Sequence, residues 1–201
     1  MITSLSQLDL DKKYDYSDYI LWKFKERVEL LKGRLFPMSA PSIEHQIIAG
    51  NLHLTLGNFL RKQDCQLLIA PVDVRLPLPT HRVTKDKIDT IVQPDLCVVC
   101  DKSKLDKQTC VGAPDLVIEI LSPGNSKREM KDKYDLYEEA GVLEYWIVEP
   151  ANKFVFVYLL DEKTGKYVQK YTPVLTEDET FACTVLEGLE VDLKEVFSLN
   201  I

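Results

Sequence analysis

Long apolar runs are missing from this chain of 201 residues. Its most apolar stretches, residues 67–70 and 116–121, fall far short of the roughly 20 residues that cross a bilayer, which excludes a membrane-spanning helix. Met1-Ile2-Thr3-Ser4-Leu5 offers no basic patch followed by an apolar stretch, so no secretory signal is read and a cytoplasmic protein is expected. Positive charge is also in short supply: 25 Lys and Arg face 32 Asp and Glu, a net charge of −7. That balance argues against coating nucleic acid nonspecifically, a mode that needs excess cations. Five cysteines, an odd number without dense spacing, exclude a disulfide scaffold, and reduced, buried thiols are expected. Cys97-Val98-Val99-Cys100 has the C-x-x-C pattern, but in a strand an offset of three sends the side chains to opposite faces, so they cannot chelate one metal together. There is no G-x-S-x-G elbow, no Walker loop and no H-E-x-x-H pair, which removes the serine-hydrolase, P-loop and zinc-protease classes. Repeats, low-complexity tracts and linkers are absent as well, so a single domain is expected, with a core at about 28–160 and an acidic, strand-rich extension at 161–201.

What remains is 45% hydrophobic and 28% charged, the composition of a folded protein. Residues 16–25 suggest a short helix. Residues 27–36 read as a hairpin turning at Lys32-Gly33. A helical pattern runs over 43–60 with Ser42 as N-cap. Residues 66–76 predict a strand broken at Pro71, residues 77–87 an exposed loop, and 95–100 and 115–121 two apolar strands. Pro123-Gly124-Asn125 precedes a helix over 126–140 that Gly141 closes, followed by strands at 143–148 and 154–160. The order of helix, three strands, helix and strand predicts an α/β fold with a sheet flanked by helices.

Charge in the wrong place marks the candidate site. Alternation over 115–121 puts Asp115, Val117, Glu119 and Leu121 on one face and Leu116, Ile118 and Ile120 on the other. A carboxylate in so apolar a strand needs a proton, a cation or a partner. Asp115 lies about 13 Å along the strand from Glu119, so the partner must come from another strand, and Asp95 is the best candidate. In the following helix Met130, Tyr134, Leu136, Tyr137 and Ala140 form an apolar arc with Lys133 near its middle, so Lys133 points inward, and Glu129 touches the arc one turn earlier. Glu44 projects with Ile48, Asn51, Leu52 and Thr55 and should be half-buried. Two readings fit: a divalent-metal site of Asp95 and Glu119 with Lys133 beside it, or a buried Glu–Lys pair that only ties strand to helix. His45 and His53 can share a helix face, but structural histidines are commoner than ligands; Lys127, Arg128 and Lys131 suit either phosphate or water.

Four ordered segments carry a resemblance: Pro94-Asp95-Leu96; the run from Gly112-Ala113-Pro114-Asp115 through Glu119 to Pro123; Lys133 with Tyr137; and Gly141-Val142-Leu143-Glu144-Tyr145-Trp146-Ile147-Val148. Together with the hairpin at 29–33 and the Ser-x-Glu-His helix start at 42–45, they resemble the Uma-two family of restriction endonucleases, within the PD-(D/E)XK nuclease superfamily, over residues 28–158. The resemblance implies a restriction-endonuclease-like α-β-β-β-α-β core, with the N-terminal hairpin and C-terminal strands as additions. It further implies Asp95 and Glu119 as metal ligands, completed by the Ile120 carbonyl, and Glu44 as a helix-borne acid. The lysine usual two residues after the glutamate is here Leu121, and Lys133 resembles its migrated replacement. The implied activity is Mg²⁺- or Mn²⁺-assisted hydrolysis of DNA, with homodimerisation by analogy. The competing class is a non-catalytic nucleic-acid-binding or assembly protein. Charge divides unevenly, with +2 over residues 1–133 and −9 over 134–201, so DNA is expected to approach the first part while the acidic segment lies opposite or shields the site.

Overall fold

The computed structural model describes residues 2–79, 87–122 and 127–199, the last stretch with side chains from Met130 onward. After a 3-10 turn at Leu5–Gln7 comes a short helix, α1 (Tyr16–Tyr19), then a hairpin of β1 (Val28–Leu31) and β2 (Arg34–Pro37). Lys32 and Gly33 both take positive φ, +51° and +82°, as a two-residue turn matched to strand twist requires. Helix α2 (Ile43–Leu60) begins where Ser42 accepts the His45 N–H at 3.1 Å. Strands β3 (Gln66–Ile69), β4 (Asp73–Arg75), β5 (Ile91–Val92), β6 (Leu96–Val99), β7 (Thr109–Val111) and β8 (Leu116–Ile120) lead to α3 (Lys127–Ala140), which Gly141 ends at φ +86°. Then come β9 (Glu144–Glu149), β10 (Phe154–Asp161), β11 (Lys166–Gln169), β12 (Leu175–Thr176), β13 (Thr180–Ala182), β14 (Glu190–Asp192) and α4 (Leu193–Val196).

The α2, β3, β6, β8, α3 and β9 segments reproduce the expected α-β-β-β-α-β core. They build a sheet ordered β11-β10-β9-β8-β6-β3, with β12 added on β10, while a second sheet runs β2-β1-β5-β4-β7. Within the larger sheet β8 and β9 are parallel, as the α3 crossover between them demands, and the other pairs are antiparallel. Alternation divides β8 between two cores. Leu116, Ile118 and Ile120 meet the Ile48, Leu52, Leu56 stripe of α2, together with Phe181, Val191, Leu193, Val196 and Phe197. Val117 faces Leu136 and Tyr137 of α3, with Val74 and Cys110 of the second sheet. The acidic C-terminal segment thus caps the α2 side of the sheet. Glu144, fully buried, binds it there: its carboxylate accepts the Trp146 indole N–H at 2.8 Å and the Thr184 and Val185 amides at 2.7 and 2.9 Å. No helix among the described residues is long and apolar enough to cross a membrane.

Three expectations are corrected. The first helix covers four residues, not ten, because Tyr14, Tyr19, Trp22 and Phe24 pack on one another in an irregular segment instead of continuing a helical stripe. Cys65 and Cys100 are joined in a disulfide, against the expectation of reduced thiols throughout, because the β3–β6 register pairs Gln66 with Val99 and so sets Cys65 opposite Cys100. Cys97, Cys110 and Cys183 are free and buried, as expected. In the expected exposed loop at 77–87, Leu78 and the adjacent Ile88 are buried; residues 80–86 and the Pro123-Gly124-Asn125 break lie outside the described residues, as do the side chains of Lys127, Arg128 and Glu129. Lys131 is exposed and pairs with Asp135 on its own helix.

Candidate active site

The β6–β8 register explains how two carboxylates far apart in sequence meet. Leu96 pairs with Ile118, and one step along the antiparallel ladder Asp95 comes opposite Glu119. Asp95 sits just before β6, where its main-chain carbonyl accepts the Ala70 N–H at 3.0 Å and its Oδ2 accepts the Ile120 N–H at 2.8 Å. The Ile120 main chain therefore lies at Asp95, although the group hydrogen-bonded to the carboxylate is its amide, not the carbonyl of the expected ligand set. That carbonyl faces the imidazole of His45.

Lys133 does point inward. Only 8% exposed, its ammonium lies 2.9 Å from Glu119 Oε1 and 3.2 Å from Glu29. Tyr137, one helical turn later on the same face, donates to the same Glu119 oxygen at 2.6 Å. Glu29, in the middle of β1, is 2% exposed and also accepts the Gln93 amide at 2.8 Å. Three carboxylates, Asp95, Glu119 and Glu29, thus surround one lysine. Burial works against the Lys133 charge, but Glu119 and Glu29 outweigh it and hold the ammonium above its ordinary pKa. Glu119, the buried middle member with acids on either side, goes the other way: burial first, then Asp95 and Glu29, raise it to about 7 against the pull of Lys133 and the Tyr137 hydroxyl.

The first helix reaches this site through a residue other than the one expected. Glu44 is half-buried, as its projection implied, but its contacts do not include Asp95, Glu119 or Lys133; its neighbour His45 lies 3.1 Å from Asp95 Oδ2. Burial opposes the imidazolium, yet the Asp95 bond and charge, reinforced by Glu119 and the Ile120 carbonyl, raise the His45 pKa. Among the described residues, His45 Nδ1 is buried with no hydrogen-bond partner. The signal for His45 was available: it heads the buried stripe His45, Ile48, Leu52, Leu56, Leu60, at spacings of three and four. Glu29 had a weaker one, a charge in a strand buried on both faces. A cavity of about 190 Å³ opens beside Asp95 and His45 and runs along α2 past Gln46 and Gly50 to His53, with Ile69 and Ala70 opposite.

The donor set suits a hard cation. Two facing carboxylates and a main-chain carbonyl are oxygen ligands of the kind that Mg²⁺ uses when water and substrate complete its shell. Among the described residues no three His, Cys, Asp or Glu side chains form a ready-made metal cage. Asp115, the other acid of the β8 strand region, lies apart and accepts the Cys100 amide at 2.7 Å.

A crystal structure described as a putative nuclease belonging to DUF820, from Anabaena variabilis, superposes with a TM-score of 0.70 over 92% of this chain and 98% of that one, at 19% identity. A Synechocystis protein named "Uncharacterized protein slr1290" is 24% identical over 149 residues, 73% of this chain and 74% of its own. The family model Uma2, described as "Putative restriction endonuclease", matches residues 16–194, from α1 into α4 and across every element that contributes to the site. The chain belongs to the Uma2 family.

Proposed function

We propose that this chain is a Mg²⁺- or Mn²⁺-dependent endonuclease that hydrolyses phosphodiester bonds in DNA at Asp95, Glu119 and Lys133. The observation that carries this reading is the register that sets Asp95 opposite Glu119, with the Lys133 ammonium 2.9 Å from Glu119. Asp95, Glu119 and the Ile120 carbonyl would hold the cation, which when bound polarises the phosphate and lowers the pKa of water. Lys133, kept charged and fixed between Glu29 and Glu119, supplies a positive charge oriented before substrate arrives, where negative charge develops on the phosphate oxygens. Tyr137 steers Glu119 by holding Oε1. A homodimer would bring a second site to the second strand of a duplex.

The test incubates plasmid and linear DNA with purified protein and Mg²⁺, Mn²⁺ or EDTA, beside Asp95→Ala and Lys133→Ala, with Mn²⁺ binding followed by calorimetry. Cleavage that requires metal, disappears in Asp95→Ala together with Mn²⁺ binding, and falls about 10²–10³-fold in Lys133→Ala is expected. Cleavage unchanged in Asp95→Ala refutes the site. DNA binding with no cleavage of any nucleic acid under any metal assigns the fold to a binding or assembly role.

A further inference from the structure

We propose that the groove along α2 seats the strand to be cut, holding the nucleotides next to the scissile phosphate, with Gly50 as the residue that keeps it open; the inference rests on the nuclease reading above. Substrate has to reach a nearly closed site. The Glu119 and Lys133 side chains are each 10% exposed and that of Asp95 is 18% exposed, so the approach from solvent is on the Asp95 side. The groove of about 190 Å³ begins there, at Asp95 and His45. Its walls open to solvent, since Gln46, Gly50 and His53 on α2 and Ile69 across from them are all exposed.

Nothing within the chain itself calls for glycine at position 50. Glycine is the poorest helix former after proline, and Gly50 lies in the middle of α2 with a backbone outside the left-handed region, where other residues fit. Among the described residues, a Cβ placed on Gly50 meets no heavy atom within 4 Å, whereas one on Gly57 of the same helix meets Leu67 of β3 at 3.8 Å. The close approach that a glycine permits is therefore used by something outside the fold. Charge indicates what. Of the described residues lining the groove only Asp95 is acidic, and that one would hold the cation, so the wall beyond it does not repel a polyanion. Ile69, Ala70 and Leu96 offer apolar surface to deoxyribose and base, while Gln46 and His53 offer N–H donors. With a rise of 1.5 Å per residue, Gly50 and His53 lie about 7.5 and about 12 Å beyond His45 along the helix. That reach spans about three nucleotides of a B-form strand at about 3.4 Å each. The larger cavity, about 320 Å³, sets Lys13, Lys32 and Arg34 beside Asp132 and Asp135, and Asp95 does not line it.

Steady-state cleavage of a labelled duplex with Mg²⁺ or Mn²⁺, and anisotropy of the same duplex in EDTA, compare the wild type with Gly50→Ala and Gly50→Leu. Asn58→Leu, about two turns further along α2 and outside the groove, adds similar bulk elsewhere. Both Gly50 variants should melt no lower than the wild type, since alanine and leucine are better helix formers. KM and the dissociation constant should rise with side-chain size, by about tenfold in Gly50→Leu, the scale of one mismatched base pair, less in Gly50→Ala and not at all in Asn58→Leu. Gly50→Cys adds a footprint independent of cleavage. Cys97, Cys110 and Cys183 are buried and Cys65 is bridged to Cys100, so a maleimide reports on the introduced thiol in the folded protein. Duplex in EDTA at about ten times its dissociation constant should slow that labelling about tenfold. KM, affinity and labelling indifferent to Gly50 substitution and to DNA overturn the groove, and cleavage that still needs metal and Asp95 then leaves the nuclease reading standing. Protection of the thiol by DNA with no cleavage under any metal keeps the groove and refutes the nuclease. Labelling that slows with protein concentration and not with DNA assigns this face to a second copy of the chain and overturns the groove as a DNA seat.

Discussion

Glu119→Gln should make the protein more stable at alkaline pH while abolishing the DNA cleavage proposed above. In the fold Glu119 is raised from 4.5 to about 7, chiefly by burial and by the charges of Asp95 and Glu29. For a carboxyl raised in this way, its favourable contribution is complete below the unfolded value and is lost as pH climbs through the folded one. Between pH 5 and pH 8 the unfolded chain ionises Glu119 freely while the folded chain resists until about 7, so the wild-type protein loses about 2–3 kcal/mol from this group at about 1.4 kcal/mol per pH unit. Glutamine keeps an oxygen for the Lys133 and Tyr137 bonds and carries no charge, so the variant escapes that loss; Lys133 retains Glu29 as counter-charge. Urea unfolding of both proteins at pH 5 and pH 8 measures it, since titrating groups that do not interact with Glu119 contribute equally to both and cancel in the difference. The variant should gain about 2–3 kcal/mol on the wild type in going from the lower pH to the higher. A stability difference of the same size at both pH values refutes the placing of a strained carboxylate at this position.

Two further outcomes test the surrounding structure. Glu144→Ala leaves the Trp146, Thr184 and Val185 N–H groups without their acceptor and should cost at least about 3 kcal/mol at about 1–3 kcal/mol per orphaned donor; limited proteolysis should then cut first within residues 161–201, and cuts distributed as in the wild type would contradict the anchoring role. Unfolding the protein without reductant should release three titratable thiols, and five after reduction, with Cys65→Ser costing about 3–4 kcal/mol for a bridge across 35 positions; five thiols without reductant would refute the bridge.

The parts of this molecule legible in the sequence are those set by local period and punctuation. Ser42 before an apolar stripe fixes the start of α2, Lys32-Gly33 fixes the hairpin, and the arc around Lys133 turns that lysine inward. A need for partners at Glu119 was readable because an ionised side chain in an apolar strand demands one; Asp95 lies opposite it, but the groups it bonds, Lys133 and Tyr137, come from the helix that follows its own strand. Strand register was not readable. It sets Cys65 against Cys100, and it brings Glu29 to Lys133 from a different sheet. The choice between Glu44 and His45 turned on one residue, or about 100° of helix rotation, less than the breadth of an apolar stripe inferred from sequence.

The bond from Glu29 to Lys133 spans 104 positions. During translation the first half of the chain can form its hairpin and α2, but the site has no lysine until α3 has left the ribosome. The apolar stripe of α2 is covered still later, when residues 181–197 arrive. Contacts so distant in sequence form slowly and late. A ribosome carrying this chain therefore holds a polypeptide without the buried Glu29–Lys133–Glu119 cluster for most of its synthesis, and a prematurely terminated product would lack both the cover of α2 and the hold of Glu144 on Thr184 and Val185. For the cleavage proposed above, this order of emergence would withhold the lysine of the site until most of the chain has been made.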